Sequence, residues 1–145
     1  MRTKSVEVEP AKEIDLSILL EIYNSSRASA GCCFEKALDI ERFSALIDGE
    51  RIHVAVLDGA VVGFASVWAA DRFIHHLYVS PQYQGCGIGS SLLETCAEIY
   101  GLPLSLKCDT SNEHAQRFYR RKGWLPSERG VGADGPWERF ESPSA

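Results

Sequence analysis

The stretch Leu77-Tyr78-Val79-Ser80-Pro81-Gln82-Tyr83-Gln84-Gly85-Cys86-Gly87-Ile88-Gly89-Ser90 runs from an apolar segment, through a proline stop, into a glycine-rich turn. Directly after it, Leu92, Leu93, Cys96 and Ile99 recur at helical spacing and Gly101 ends the pattern, so the turn opens a helix. A strand, a glycine-rich turn and a helix N-terminus together form an anion site. The first N–H groups of the helix have no partners within it, and the helix dipole adds positive potential. Glycines remove Cβ atoms that would keep a diphosphate away from the backbone. A mere sharp bend is the bland alternative, and the well-patterned helix that follows weighs against it.

The neighbouring residues narrow the kind of diphosphate. A nucleotide-hydrolysing P-loop carries Lys and then Ser or Thr after its last glycine, whereas Gly89 is followed by Ser90-Ser91. A dinucleotide-binding fold places its glycine turn after a first parallel strand, with an acidic residue about twenty positions later. Here three segments that read as antiparallel strands come first. His53–Leu57 and Val61–Trp68 flank Asp58-Gly59, a hairpin signal, and Phe73–Val79 follows Ala70-Asp71-Arg72.

Further out, Val6–Glu9 alternates like a half-buried strand and Pro10 closes it. Asp15 is expected to cap a helix whose inner stripe is Ile18, Leu19, Ile22 and Tyr23. Ser25–Phe34 reads as a loop or frayed helix end, and Ile40–Ile47 as a short helix stopped by Asp48-Gly49. Beyond the glycine turn come a strand over Leu104–Cys108 and a helix over Asn112–Lys122 bearing Ala115, Phe118 and Tyr119. Gly123 ends that helix, a strand begins at Trp124-Leu125, and Trp137–Phe140 is one more candidate. Neither a repeat nor a linker interrupts the chain, and 1–145 reads as a single domain.

Bulk properties limit the classes of function. With 145 residues, 45% of them apolar, the chain can bury one good core. It has no apolar run of membrane-spanning length and its first residues lack the apolar middle of a signal peptide, so no membrane partner and a cytoplasmic location are expected. The five cysteines are odd in number and without metal-ligand spacing, so neither a metal nor a disulfide framework is expected. A net charge of −5 argues against nucleic acid and is compatible with a cationic acceptor.

Gln84-x-x-Gly87-x-Gly89, after a strand ending Leu77-Tyr78-Val79-Ser80-Pro81, resembles the acetyl-CoA signature of the GNAT (GCN5-related) N-acetyltransferase family. Asn112-x-x-Ala115-x-x-Phe118-Tyr119-x-x-x-Gly123-Trp124 is similar to that family's second block, in the family's order and at suitable separation. The likeness covers roughly residues 6 to 125; the final twenty match least well. It implies an α/β (α+β) fold, a mixed, mostly antiparallel sheet of about six to seven strands flanked by about four helices.

The resemblance also implies roles. Leu77, Tyr78 and Val79 would pair with the pantetheine arm of acetyl-CoA along a splayed strand, and an N–H near Val79 would polarise the thioester carbonyl. Gln84, Gly85, Cys86, Gly87, Ile88, Gly89 and Ser90 would cradle the pyrophosphate. Tyr119 would protonate the departing thiolate, against the plain reading of Phe118 and Tyr119 as the aromatic face of a helix. Asn112 would bond the cofactor arm or cap its helix. For the base, His75 and His76 are adjacent and expected on opposite strand faces, with His75 sharing the parity of Leu77 and Val79. Some members of the family carry a histidine at the place of His75, which favours it; Phe73 stands where others have a glutamate. Residues 27–35 correspond to the acceptor-shaping region, with Glu35 as a partner for a cationic amine and Cys32, Cys33 and Phe34 as walls. Cys86 stands where the family often has a basic residue, and adventitious oxidation is a better expectation for it than catalysis.

The activity expected is acetyl transfer from acetyl-CoA to a primary amine of a small molecule by direct attack in a ternary complex. No nucleophile paired with a base supports a covalent intermediate. Two alternatives are transfer to a protein or peptide amine and a non-catalytic CoA-binding sensor or partner subunit, the latter disfavoured by Tyr119. A tRNA-modifying role fits poorly with a net charge of −5. The C-terminal strand could pair across a homodimer.

Overall fold

The computed structural model describes residues 5–30, 37–133 and 135–143. Its elements are β1 (Glu7–Pro10), α1 (Leu16–Ala30), α2 (Ile40–Leu46), β2 (Arg51–Leu57), β3 (Ala60–Trp68) and β4 (Phe73–Val79), then α3 (Ile88–Tyr100), β5 (Ser105–Asp109), α4 (Glu113–Arg121), β6 (Leu125–Gly132) and β7 (Gly135–Glu141). Seven strands form one sheet in the order β1-β2-β3-β4-β5-β7-β6, antiparallel everywhere except between β4 and β5. This is the mixed α/β architecture expected.

The β2–β3 hairpin forms where the dipeptide signal places it. Asp58 and Gly59 have φ of 52° and 79°, the pair of left-handed residues that matches a two-residue turn to strand twist. The sheet is covered on both faces. Leu19, Ile22 and Tyr23 of α1 and Phe43 of α2 pack on Val54 and Phe64; on the other face Ile88, Leu92, Leu93 and Cys96 of α3 pack on Ala55, Val62, Ala65 and Val67. Strands β2 and β3 divide their side chains between these two cores.

Three local expectations change, and the place of the last strand is new. Asp15 is not the cap of α1: a 3-10 turn over Glu13–Asp15 precedes the helix, and the Asp15 carboxylate accepts from the Lys12 N–H at 2.8 Å. Helix α1 runs to Ala30 rather than fraying at Ser25, because tertiary contacts hold its last turns. Buried Ser26 donates to the Val79 carbonyl at 2.9 Å, and Arg27 donates to the Tyr78 hydroxyl at 3.2 Å. Ile99 is 54% exposed, and Ile88 fills the inner position at the start of α3 instead. Strand β7 inserts between β5 and β6, pairing Cys108 with Glu138 and Gly130 with Trp137.

Candidate active site

Strand β4 is hydrogen-bonded to β3 as far as Val79 but to β5 only at Phe73 and Ile74. Beyond Ile74 the two parallel neighbours part, and the register pairs none of Leu77–Val79 with β5. The wedge opens into a cavity of about 1260 Å³. Leu77, Tyr78, Val79, Gln84, Gly85, Gly87, Ile88, Gly89, Ser90, Asn112, Tyr119 and His75 all line this one space. Cys86 is exposed and lies off its wall. Glu35 and the walls expected from Cys32, Cys33 and Phe34 fall outside the described residues.

The glycines of the turn serve two different needs. Gly85 and Gly87 have φ of 82° and 79°, and a Cβ on either would meet nothing within 4 Å. Glycine is required there for the left-handed backbone that ends β4's loop and starts α3, and the approach to both residues is open. Gly89 lies inside the helix, where a Cβ would stand 3.2 Å from Phe118 Cζ, so its role is to let α3 and α4 approach. The N-terminus of α3 thus meets the cavity with bare backbone, which suits a diphosphate. Across the cavity stand Arg117 and Arg121 of α4 and Lys122, its C-cap. The sequence reading passed over these cations; their signal was the basic run inside the second block.

Asn112 is the N-cap of α4, its Oδ1 accepting from the Ala115 N–H at 3.2 Å. The capping role is therefore real, and Nδ2 remains as the group for a ligand. Tyr119 is 7% exposed and packs on Trp124 and Phe140 at 5.6 and 5.7 Å between ring centroids. Burial, with smaller contributions from Cys108 and Tyr78, raises its phenol far above the ordinary range, so the hydroxyl keeps its proton.

The histidines overturn one expectation. His75 and His76 do not point to opposite faces. Ser66 pairs with His76 and Val67 with Ile74, so β4 carries one extra residue, His75, in a β-bulge. A bulge sets two consecutive side chains on one side of a strand. The two rings accordingly stack, 3.9 Å between centroids, on the α1 face, where His76 meets Tyr23. Leu77 and Val79 pack against the opposite core, so His75 does not share their parity. His76 is buried and burial pushes its pKa down to about 3, with help from His75 and Arg27; it is neutral at physiological pH. His75 is the accessible ring, its side chain 40% exposed.

A residue absent from the sequence reading completes this group. Glu50, just before β2, has a side chain only 3% exposed; its Oε2 is 2.9 Å from His75 Nδ1 and its Oε1 accepts from the Ser66 hydroxyl at 2.6 Å. Nothing local in Asp48-Gly49-Glu50 marks it, since its partners come from β3 and β4. Among the described residues, Glu50, His75 and His76 are the group with the make-up of a cation site, their donor atoms within 4.8 Å of one another.

Residues 19–124 match the acetyltransferase (GNAT) family, and the chain belongs to it. It is an acyltransferase of the N-acetyltransferase class, for which acetyl-CoA is the acyl donor. An uncharacterised N-acetyltransferase of Archaeoglobus fulgidus is 27% identical over 143 residues, covering 86% of this chain and 97% of that protein. The crystal structure of a GCN5-related N-acetyltransferase from Rhodopseudomonas palustris superposes with a TM-score of 0.82 at 22% identity, covering 98% of both chains. YncA of Salmonella typhimurium, solved with its cofactor acetyl-CoA, has a TM-score of 0.70 at 20% identity over 97% of this chain and 94% of its own. These two structures share the fold.

Proposed function

We propose that the protein transfers the acetyl group of acetyl-CoA to a primary amine of a small molecule, by direct attack while both are bound. One observation carries the reading: where β4 splays from β5 it borders a cavity with proton-bearing Tyr119 at one wall and accessible His75 at another. The open backbone at Gly85–Ser90 receives the pyrophosphate, Arg117, Arg121 and Lys122 face its charge, and Leu77–Val79 offer backbone groups to the pantetheine arm.

In the reaction, His75 takes a proton from the amine as its nitrogen bonds to the thioester carbon. The C–S bond then breaks and the Tyr119 hydroxyl gives its proton to the sulfur. His75 has gained one proton and Tyr119 has lost one, and exchange with solvent resets both. No described residue needs to carry the acetyl group.

The test incubates the protein with acetyl-CoA and a panel of small amines and amine-bearing peptides while free thiol is followed. Turnover with small amines supports the proposal, and turnover confined to peptides redirects it to protein acetylation. Tight CoA binding without turnover on any acceptor would assign a sensor. His75→Ala is expected to lose a limb of the pH–rate profile; a profile identical to that of the wild type removes His75 as base.

A further inference from the structure

We propose that Glu50 is a positioning residue for acetyl transfer: its carboxylate, held by Ser66, keeps the proton of His75 on Nδ1 and leaves Nε2 to take the proton of the acceptor amine. The inference rests on the reading of His75 as base and adds the group that makes it one.

The geometry carries it in three steps. A carboxylate oxygen only accepts, so the 2.9 Å contact requires Nδ1 to donate and fixes the neutral tautomer with its lone pair on Nε2. The Ser66 hydroxyl, fully buried on β3, donates to the other oxygen and stops the carboxylate from turning. The bulge swings the ring of His75 onto the face that Glu50 occupies; with regular pairing the two would lie on opposite sides of the sheet. When His75 receives a proton, the new charge forms against the stacked ring of neutral His76, with Arg27 on α1 nearby. Phe73 separates it from Arg139 on β7, whose guanidinium lies over the Phe73 ring at 5.3 Å. Glu50 is the carboxylate in contact that opposes this charge.

A purely structural tie between β2 and β4 would change stability and nothing else, so the experiment reads protonation. In wild-type protein carrying 15N-labelled histidine, the neutral form of His75 should be protonated at Nδ1. Protonation at Nε2 overturns the proposal whatever the activity. Glu50→Gln should distribute the proton over both nitrogens, move the His75 limb of the pH–rate profile to lower pH, and reduce kcat roughly tenfold at unchanged KM for acetyl-CoA. A Glu50→Gln profile that coincides with the wild type also overturns it. Should that variant fail to fold, the wild-type spectrum and Ser66→Ala, expected to give a smaller shift of the same sign, decide the matter. If His75→Ala retains the limb, the base reading falls while the tautomer still reports on Glu50; if only Glu50→Gln is silent, Glu50 alone is removed.

Discussion

At the scale of single residues the candidate site holds two groups whose pKa values burial moves in opposite directions. Desolvation favours the neutral form of both Tyr119 and His76, yet for the phenol this means keeping a proton and for the imidazole losing one. Tyr119 therefore keeps its proton, and His76 is a neutral ring. Tyr119→Phe should lower kcat tenfold or more, with CoA affinity by calorimetry almost unchanged, since ring packing on Trp124 and Phe140 survives. Full activity in that variant would exclude Tyr119 as the acid. Gly87→Ala isolates backbone strain, because the added methyl meets nothing within 4 Å while φ stays at 79°. It should cost about 1–2 kcal/mol in urea unfolding and weaken CoA binding by moving the first N–H groups of α3.

At the scale of elements, the N-termini of α3 and α4 both face the wedge, and each is set by one residue outside its helix. Asn112 caps α4 and lines the cavity, so its two roles separate by substitution. Asn112→Ala removes the cap and should cost about 1 kcal/mol, lowering Tm by roughly 2–4 °C in a chain of this size. Asn112→Asp keeps the capping oxygen and the stability. If it binds CoA as the wild type does, Nδ2 is not a cofactor contact; weaker binding identifies it as one. The bulge in β4 is the other device at this scale. One extra residue opposite Ser66–Val67 turns a strand that should divide its two histidines into one that stacks them.

For the whole molecule, the neutral His76 buried beneath α1 makes stability depend on pH. Its ordinary value of 6.5 applies in the unfolded chain and about 3 in the folded one, so between these values the unfolded state holds the extra proton. Stability contributed by the neutral ring is present above 6.5 and is lost as pH falls, by up to about 1.4 kcal/mol per pH unit. His53 is lowered by burial and by Arg51 and adds the same sign. Urea unfolding at pH 7, 6 and 5 should show the decline, and His76→Gln should flatten it. A slope unchanged in that variant would place the titration elsewhere.

How much of this was legible follows from where the information lies. The hairpin at Asp58-Gly59, the glycine turn, and the helices of α3 and α4 depend on local stereochemistry and on periodicity, and both can be read along the chain. Tyr119, Asn112 and the turn at residues 84–90 could be picked out as candidates because their neighbours in sequence form compact motifs, and all but Cys86 line the cavity. The length of α1, the place of β7 between β5 and β6, the shared face of His75 and His76, and the presence of Glu50 were not legible. Each depends on a partner far along the chain: Val79 for Ser26, Leu106 for Phe140, Ser66 for His76, His75 for Glu50. Sequence alone determined most of the elements and the glycine turn that opens α3, because short-range sterics and hydrogen bonding dictate them. Only the tertiary structure decided which side chains share the acceptor face, because a single bulge inverts strand parity and no local pattern records it.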